Sequence, residues 1–218
     1  MTIPDGGFCI INDNTDIEEV IDDIDYDENI NGIAFYSEKI YNVNPSINSI
    51  SVVNNIVNKE EINSIILFDH LVYNIDRHRG NLLLKYGAGI NGFKMYIMDH
   101  SHVFNLQHNW DASGLQGLIN NKDYKNKQIL DLNYKEVYKY FYELGILNEN
   151  LLKNAAINFK NVITDELLDK IINNIPTVWI INKEDLLKLK EYILYRLYNI
   201  DYIIKMIINY EKDRRYLG

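Results

Sequence analysis

NIDRHRGNLLL, at residues 74–84, combines a charged tripeptide that begins with Asp76, a nearby Asn81 and an apolar run. YIMDHSHVF, at residues 96–104, contains a second apolar run that ends at Asp99. The runs NLLLKY and KMYIMD flank the glycine-rich segment GAGING, which is typical of a turn between two strands. The sequence therefore predicts a β-hairpin, with Asp76 and Asn81 before its first strand and Asp99 at the end of its second.

Such a hairpin would bring two carboxylates and an amide oxygen towards one point. Hard oxygen ligands of this type suit Mg²⁺, which keeps several of its waters and binds substrate phosphates. A carboxylate that holds no metal can accept a proton from a hydroxyl nucleophile. The protein-kinase template has the same order: a base, a metal-binding Asn five residues later, and a metal-binding Asp after a hairpin. The spacing thus indicates the minimal machinery of phosphoryl transfer.

Two other interpretations of these residues are open at this point. Asp and Asn favour turns, so Asp76 and Asn81 could simply cap the hairpin. Zinc could be bound by the histidines that follow the second apolar run, which are His100, His102 and His108. Zinc sites usually include Cys or a further spaced His, and this stretch contains neither.

Elsewhere the chain predicts a small β region followed by a helical body, which is an α+β layout. GFCIIND is typical of a strand, whereas the mixed segment NGIAFYSEKIY is predicted to be irregular. Apolar spacing from Ile47 suggests a helix. Asn58 and Glu61 have the spacing of an N-cap and its capping-box partner, before a helix that ends near Tyr73.

Helical spacing of apolar residues also predicts one helix at residues 17–24 and three helices after the hairpin. NYKEVYKYFYELG has Val137, Phe141 and Leu144 on one face and ends at Gly145, which is typical of a C-terminal cap. Thr164 opens a short helix that ends before Pro176. A single long last helix is predicted to begin at Asn182 and Asp185, with apolar residues on one face up to Ile207.

Composition excludes several classes of protein. The chain has 218 residues, enough for a substantial core, and contains no apolar run of the length that a membrane helix needs. The first residues lack the features of a signal peptide. The single cysteine, Cys9, cannot form an internal disulfide, and we expect the protein in the cytoplasm.

The acidic charge is concentrated at the start of the chain. Residues 1–38 contain eleven acidic residues and no Lys or Arg, while the remainder contains twenty acidic and twenty-two basic residues. This segment is either a solvated stretch or a surface for a basic partner. The chain has no overall basic footprint and no basic amphipathic helix, so we expect neither direct nucleic-acid binding nor membrane binding.

The order of these motifs resembles that of the HipA-like Ser/Thr kinases, an atypical branch of the protein-kinase fold. LFDHLVYNIDRHRGNLLL and MDHSHVF are similar to the family pattern Phe-Asp-x-Leu, Asn-x-Asp-Arg-His, Asn-Leu-Leu and Asp-His-x-x-x-Phe. IPTVW, at residues 175–179, is similar to a later Ile-Pro-x-x-Trp segment of the family. The resemblance covers residues 60–105 well and residues 165–205 moderately.

The resemblance implies phosphorylation of a Ser or Thr hydroxyl, on a protein substrate, with ATP and Mg²⁺ as cofactors. Asp76 would be the catalytic base and Asn81 a Mg²⁺ ligand. Asp99 would be the principal metal ligand, bridging to the phosphates of ATP. The site would thus follow the order of the kinase template.

Three neighbouring residues would support the loop. Arg77 and His78 would brace it, and neutralisation of phosphate charge is an alternative role for Arg77. His100 would pack where a protein kinase has the Phe of its Asp-Phe-Gly motif.

The resembling part of the family is the mostly helical carboxyl-terminal lobe, which we expect at residues 46–218. Residues 1–45 would form a hinge-like strand and the acidic segment. A glycine-rich, Lys-bearing N-terminal lobe is largely absent, because the first Lys is Lys39. The chain would be a fragment, one half of a split kinase, or a non-catalytic interaction module. A separate polypeptide could supply the missing lobe or regulate it, and family analogy suggests a toxin–antitoxin role.

Overall fold

A computed structural model describes residues 1–15, 31–44, 47–105 and 110–215, without the side chains of residues 136 and 211–215. The chain divides into two compact units. The smaller unit is Pro4–Tyr41, and the larger unit combines Met1–Ile3 with Asn42–Gly218. Helices occur together with two small antiparallel sheets, so the predicted α+β class is confirmed.

The smaller unit is a β-hairpin. Strand β1 (Gly6–Ile11), which the sequence predicts, pairs antiparallel with strand β2 (Gly32–Ser37). The prediction that NGIAFYSEKIY is irregular is therefore wrong. Its Ile, Phe and Tyr favour strands, but their pairing partner lies more than twenty residues away and no local pattern reveals it. The helix predicted at residues 17–24 lies outside the described residues.

The larger unit contains a three-stranded antiparallel sheet, whose strands lie in the order β3 (Val43–Asn44), β4 (Leu82–Lys85) and β5 (Lys94–Ile97). Strands β4 and β5 form the predicted hairpin, with Leu82 opposite Ile97. One face of this hairpin is buried in the core through Leu82, Leu84, Met95 and Ile97. The register fixes the start of β4 and the end of β5, where the predicted functional residues lie.

Asn58 lies at the N-cap position of the 3₁₀ turn Lys59–Glu61, but its side chain makes no capping hydrogen bond there, contrary to the prediction. Its side-chain amide donates to the Met95 carbonyl oxygen at 2.9 Å and accepts from the Met95 N–H at 2.8 Å. Glu61 does not complete a capping box but accepts hydrogen bonds from the N–H and hydroxyl of Thr2. Both side chains thus make long-range contacts at the edge of β5, which their spacing cannot distinguish from a cap.

Helices surround the sheet. In the described ranges they are α1 (Ile50–Asn54), α2 (Ile62–Leu71), α3 (Ala112–Asn120), α4 (Gln128–Asn133), α5 (Lys139–Glu143), α6 (Glu149–Val162), α7 (Asp165–Asn173), α8 (Lys183–Tyr198) and α9 (Ile200–Arg215). Single 3₁₀ turns occur at Lys59–Glu61, Arg79–Asn81, Asp123–Lys125 and Thr177–Trp179. Among the described residues, no helix has both the length and the apolar character that crossing a membrane requires.

Helix α2 lies at the centre of the larger unit. It packs against α6, α8 and α9, and eight of its ten residues are buried. A helix that is buried on every side is a core helix. The polar residues of α2, which include Asp69 and His70, are therefore shielded from water.

The helix predicted over NYKEVYKYFYELG is present but irregular. Helix α4 continues through a π-helical turn at Tyr134–Tyr138 into α5. Val137 and Phe141 are buried, as their spacing predicts, and Gly145 follows α5 with a φ of +66°. The wider π turn changes which side chains share a face, with consequences for the site described below.

The last predicted helix is two helices. The side chains of Thr164 and Asn182 cap α7 and α8 as predicted, by accepting from the N–H groups of Leu167 and Glu184. The chain then breaks at Asn199, which separates α8 from α9 and donates a side-chain hydrogen bond to the Tyr195 carbonyl. An Asn that bonds back to its own helix competes with continuation of that helix. The apolar spacing continues across the break, so the sequence pattern does not show it.

Replacing Asn58 tests its role at the edge of β5. We expect Asn58→Ala to lower the free energy of unfolding by about 1–3 kcal/mol, because the Met95 N–H and carbonyl both lose a partner. Urea unfolding measures this change. Asn54→Ala, at an exposed position of α1, is the control and should stay within about 0.5 kcal/mol of the wild type. Equal stability of the two variants would contradict the assignment.

Candidate active site

The hairpin brings the predicted residues to one end of the sheet. Asn81 immediately precedes β4, and Asp99 follows β5 by two residues. The ladder continues one step beyond the strands, because the Met98 N–H donates to the Asn81 carbonyl at 3.1 Å. The two chain segments that carry Asn81 and Asp99 are therefore held side by side.

Asp76 presents its carboxylate to solvent between two histidines. Its side chain is 42% exposed, and its Oδ2 atom lies 3.4 Å from His102 Nδ1 and 3.8 Å from His78 Nε2. The backbone N–H of Asp76 donates to the Asn74 side chain at 3.1 Å, which fixes the position of the residue. A carboxylate held in this way can accept a proton from an incoming hydroxyl.

The side chains of His102 and Ser101 connect Asp76 to Asp99. The Ser101 hydroxyl lies 3.0 Å from His102 Nδ1 and donates to Asp99 Oδ1 at 2.7 Å. The hydrogen bond from Ser101 and the nearby His102 and His78 keep the pKa of Asp99 below its usual value, although burial opposes this. Asp99 has a φ of +53°, a conformation that is uncommon for a residue other than glycine. The structure thus places both aspartates within one small cluster.

Asn81 completes the cluster from the other side. Its residue is buried, and its side-chain nitrogen donates to the Asp76 carbonyl at 2.9 Å. This bond joins two residues that are five positions apart, which is the spacing noted in the sequence. It also fixes the orientation of the side-chain amide, because the nitrogen must face the Asp76 carbonyl. Within the described part of the chain, no hydrogen-bond donor reaches Asn81 Oδ1.

Arg77 is the brace of the loop. Its side chain is fully buried, and its guanidinium bridges the carboxylate of Asp69, the carbonyls of Asn81 and Met98, and His100 Nε2. These contacts use all five N–H donors of the group. No donor is left for a phosphate, so the geometry favours bracing over the alternative role in neutralising phosphate charge.

Asp69 is the ion-pair partner of Arg77, a role that was not predicted from the sequence. The two side chains form a bidentate pair at 2.8 and 3.0 Å, with neither of them exposed to solvent. Asp69 also accepts from Asn74 at 2.9 Å and from the Tyr138 hydroxyl at 2.6 Å. Burial alone would raise the pKa of Asp69, but the Arg77 charge and these hydrogen bonds hold it below its usual value. Asp69 is therefore ionised and fully paired.

The end of α4 and the π-helical turn that follows it supply two further supports. Asn133 accepts from the Arg77 N–H at 3.0 Å and donates to the Asn74 carbonyl at 3.0 Å. Tyr138, five residues later, donates to Asp69. A π turn closes over five residues, so positions five apart approach the same face. The sequence signals for this support network are the charge of Asp69 within the mostly apolar α2 and its place in the Phe-Asp-x-Leu pattern.

His100 packs behind the cluster. Its ring meets the Phe68 ring edge-on, with 5.4 Å between the centroids, and its Nε2 lies 2.8 Å from an Arg77 nitrogen. Arginine can only donate, so His100 must accept at Nε2 and is neutral in this arrangement. Burial and the Arg77 charge accordingly lower the pKa of His100. His78, in contrast, is half-exposed and accepts from the Gly80 N–H at 3.0 Å.

The end of α2, just before the loop, is held by a second buried guanidinium. Arg196 of α8 donates to the carbonyls of His70 and Leu71 and pairs with Asp123 at 2.7 Å. Those carbonyls are among the last of α2, where no intrahelical donor remains for them. Burial raises the pKa of Asp123, an effect that the Arg196 charge opposes. Arg196 thereby fixes the point from which the loop departs.

Asn81 and Asp99 carry the kind of oxygen donors that Mg²⁺ prefers. Asn81 Oδ1 and the Asp99 carboxylate offer hard oxygens, and the lowered pKa of Asp99 favours the ionised form of this carboxylate. Such sites use one or two protein carboxylates and leave the other positions to water and phosphate. Among the described residues, no group of three or more His, Cys, Asp and Glu is arranged to hold a metal, and His108 lies outside them. The zinc interpretation thus gains no support.

Comparisons with models of known protein families, with curated proteins and with solved structures find no match for this chain.

Asp69→Asn tests the buried ion pair. We expect this variant to lose about 3–5 kcal/mol of stability, because Arg77 stays buried without a charged partner. The free energy of unfolding in urea is the measurement. Asp201→Asn, which removes the exposed partner of Lys160, is the matched control and should cost at most about 1 kcal/mol. A cost for Asp69→Asn as small as that of the control would show that the pair does not brace the loop.

His70 predicts how stability depends on pH. Burial and the Arg196 charge lower its pKa from 6.5 to about 3, and both ring nitrogens lack a partner among the described residues. The unfolded chain therefore binds a proton below about pH 6.5 that the folded protein does not bind until about pH 3. The contribution of His70 to the free energy of unfolding is therefore present above about pH 6.5 and is lost as the pH falls. This loss amounts to about 2 kcal/mol between pH 7 and pH 5.

Urea unfolding of the wild type and of His70→Met at pH 7 and pH 5 separates this contribution from the others. The variant should lose about 2 kcal/mol less between the two pH values than the wild type does, because Met takes up no proton. Identical losses in the two proteins would mean that His70 is protonated in the folded state.

Proposed function

We propose that this chain is the catalytic lobe of a HipA-like kinase, which transfers a phosphoryl group from Mg·ATP to a Ser or Thr hydroxyl of a protein. The observation that supports this proposal is the cluster of Asp76, Asn81 and Asp99 at one end of the β4–β5 hairpin. Their order and spacing match the base and the two metal ligands of the kinase template. The buried Asp69–Arg77 pair behind them holds the loop in place, and catalysis of this kind requires the reacting groups to be held in fixed positions.

Asp76 is the proposed base. Its half-exposed Oδ2 atom can receive the proton of a substrate hydroxyl, while the backbone of the residue is fixed by Asn74 and Asn81. His78 and His102 flank the carboxylate and leave it open on the solvent side. A protein hydroxyl can approach from that side without any rearrangement of the core.

Asn81 and Asp99 would hold Mg²⁺ together with the phosphates of ATP. The ion, when bound, neutralises charge that develops on the transferred phosphoryl group. Asn81 contributes its amide oxygen, because its nitrogen is committed to the Asp76 carbonyl. Asp99 contributes the oxygen that Ser101 does not occupy. The two protein ligands are therefore oriented by hydrogen bonds that exist before any ion arrives.

The phosphates need further cations, which Arg77 cannot supply because its donors are used. We propose that a nucleotide-binding lobe with a Lys, on a separate polypeptide or on a further part of the same one, provides them. Nucleotide affinity of the 218-residue chain by itself is then weak, since the phosphates lack a cover. A role as a non-catalytic module predicts no binding that depends on Asp99.

Calorimetric titration of Mg·ATP into the chain tests the metal ligands. We expect measurable binding, and Asp99→Asn should weaken it at least about tenfold because a charged metal ligand is lost. Asp5→Asn, at an exposed position of the smaller unit, is the control and should bind like the wild type. Binding that Asp99→Asn leaves unchanged would refute the assignment, and absence of binding in every protein would mean either that the missing lobe is needed or that the chain is a non-catalytic module.

Asp76→Asn separates catalysis from binding. This variant should bind Mg·ATP like the wild type but transfer phosphate to protein about a hundredfold to ten-thousandfold more slowly, because it lacks the base. Incorporation of labelled phosphate into proteins of a lysate, with added nucleotide-binding lobe where one is found, is the measurement. Full transfer activity of Asp76→Asn would remove Asp76 from the mechanism.

A further inference from the structure

An apolar surface lies far along the chain from the candidate active site, after α7. The 3₁₀ turn Thr177–Trp179 and the residues that follow it expose large side chains: Val178 is 77% exposed, Trp179 is 41% exposed and Ile181 is fully exposed. Single exposed apolar residues are normal on a protein surface. Three of them within four positions form a patch of the kind that marks an interaction site.

This patch borders a groove. A cavity of about 220 Å³ is lined by Trp110, Ile175, Trp179, Ile180 and Leu186 together with polar residues of the α8 start. It shares Ile181, Asn182 and Asp185 with a wider, open depression that continues towards α3. The groove therefore has an apolar, tryptophan-lined end and a polar end.

The walls of the groove are fixed by contacts on the far side. Trp110 packs edge-on against Phe104, with 5.7 Å between the ring centroids. Asp185 Oδ1 accepts from the Ala112 N–H at 2.8 Å, and Lys188 donates to Gln116 at 2.7 Å, so α3 and α8 are tied together. Binding sites are usually preformed in this way, because an ordered groove saves the ligand the cost of organising it.

The polar end of the groove is acidic. Asp111, Glu184 and Asp185 line the wider depression. The basic residue there, Lys188, has its ammonium bound to Glu191 and Gln116. The charge left for a partner is negative, which favours Lys or Arg and disfavours phosphate or nucleic acid.

We propose that this groove binds an extended segment of a partner polypeptide in which an apolar side chain is followed by Lys or Arg. The apolar side chain would occupy the cavity between Trp110 and Trp179. The basic side chain would lie over Glu184 and Asp111 at the polar end. Apolar anchoring in a pocket with charge complementarity at the rim is the usual division of labour in peptide recognition. This interaction is independent of phosphoryl transfer at Asp76.

The two tryptophans provide the measurement. The chain has two Trp residues, and both line the cavity, so intrinsic fluorescence reports directly on its occupancy. The probes are short acetylated peptides without aromatic residues: one with leucines followed by lysines, one with leucines followed by glutamates, and one with serines followed by lysines. We expect a saturable change in fluorescence with the first peptide and at least about tenfold weaker binding of the other two.

Surface variants locate the binding. Ile181→Ser and Glu184→Lys should each weaken binding of the leucine–lysine peptide about fivefold or more, because one removes apolar contact and the other reverses charge. Both positions are exposed, so both variants should fold, with a small loss of stability for Glu184→Lys because it places a positive charge in the first turn of α8. The matched controls are Val162→Ser and Glu60→Lys, at exposed positions that do not line the groove, and they should bind like the wild type.

Three results would overturn the proposal. The first is equal binding of the leucine–lysine and leucine–glutamate peptides. The second is unchanged binding by Ile181→Ser and Glu184→Lys. The third is a dimer in sedimentation measurements that Ile181→Ser dissociates, or a fluorescence change with lipid vesicles but not with peptide, because either would assign the face to a different occupant.

Discussion

The larger unit depends on the ion pair between Asp69 and Arg77. Removing two charges from water costs several kcal/mol for each ion, and this cost is offset only when the geometry is good and every remaining polar atom is satisfied. Here Arg77 uses each of its donors, and Asp69 accepts from three different residues. The pair therefore requires α2, the loop, both ends of the hairpin and the π-helical turn to be in place together. One buried interaction thus couples the central helix to the exposed cluster.

Residues that hold the loop in place and residues that are open to solvent lie next to each other in this cluster. Arg77 and Asn81 are buried, while Asp76 and Asp99 are accessible, although all four lie on the loop and hairpin ends. Ser101 and His102 link the two accessible carboxylates, and Asp99 keeps a left-handed backbone conformation there. Such strain persists only where surrounding contacts determine the backbone. The cluster is rigid on its protein side and open on its solvent side.

Much of the fold and part of the candidate site could be predicted from the sequence, but only where the sequence signal was local. The hairpin, the α+β class and the caps at Thr164 and Asn182 follow from turn chemistry and periodicity. Strand β2 and the break at Asn199 do not, since one depends on a distant partner and the other interrupts a continuous apolar pattern. The order and spacing of Asp76, Asn81 and Asp99 identified them as candidate site residues. Their supports on α2 and the π turn are tertiary contacts, and the capping-box spacing of Asn58 even pointed to the wrong partner.

Arg196 binds carbonyls that precede it by 125 and 126 residues. During synthesis, the stretch with Asp76 leaves the ribosome long before Arg196 does, because chains emerge from the amino terminus at a limited rate. Until then the end of α2 has neither the guanidinium nor the packing of α8 and α9. A nascent chain therefore carries the cluster residues without the frame that orients them. The cluster residues can therefore be held in this arrangement only after Arg196 and the rest of α8 have been synthesised.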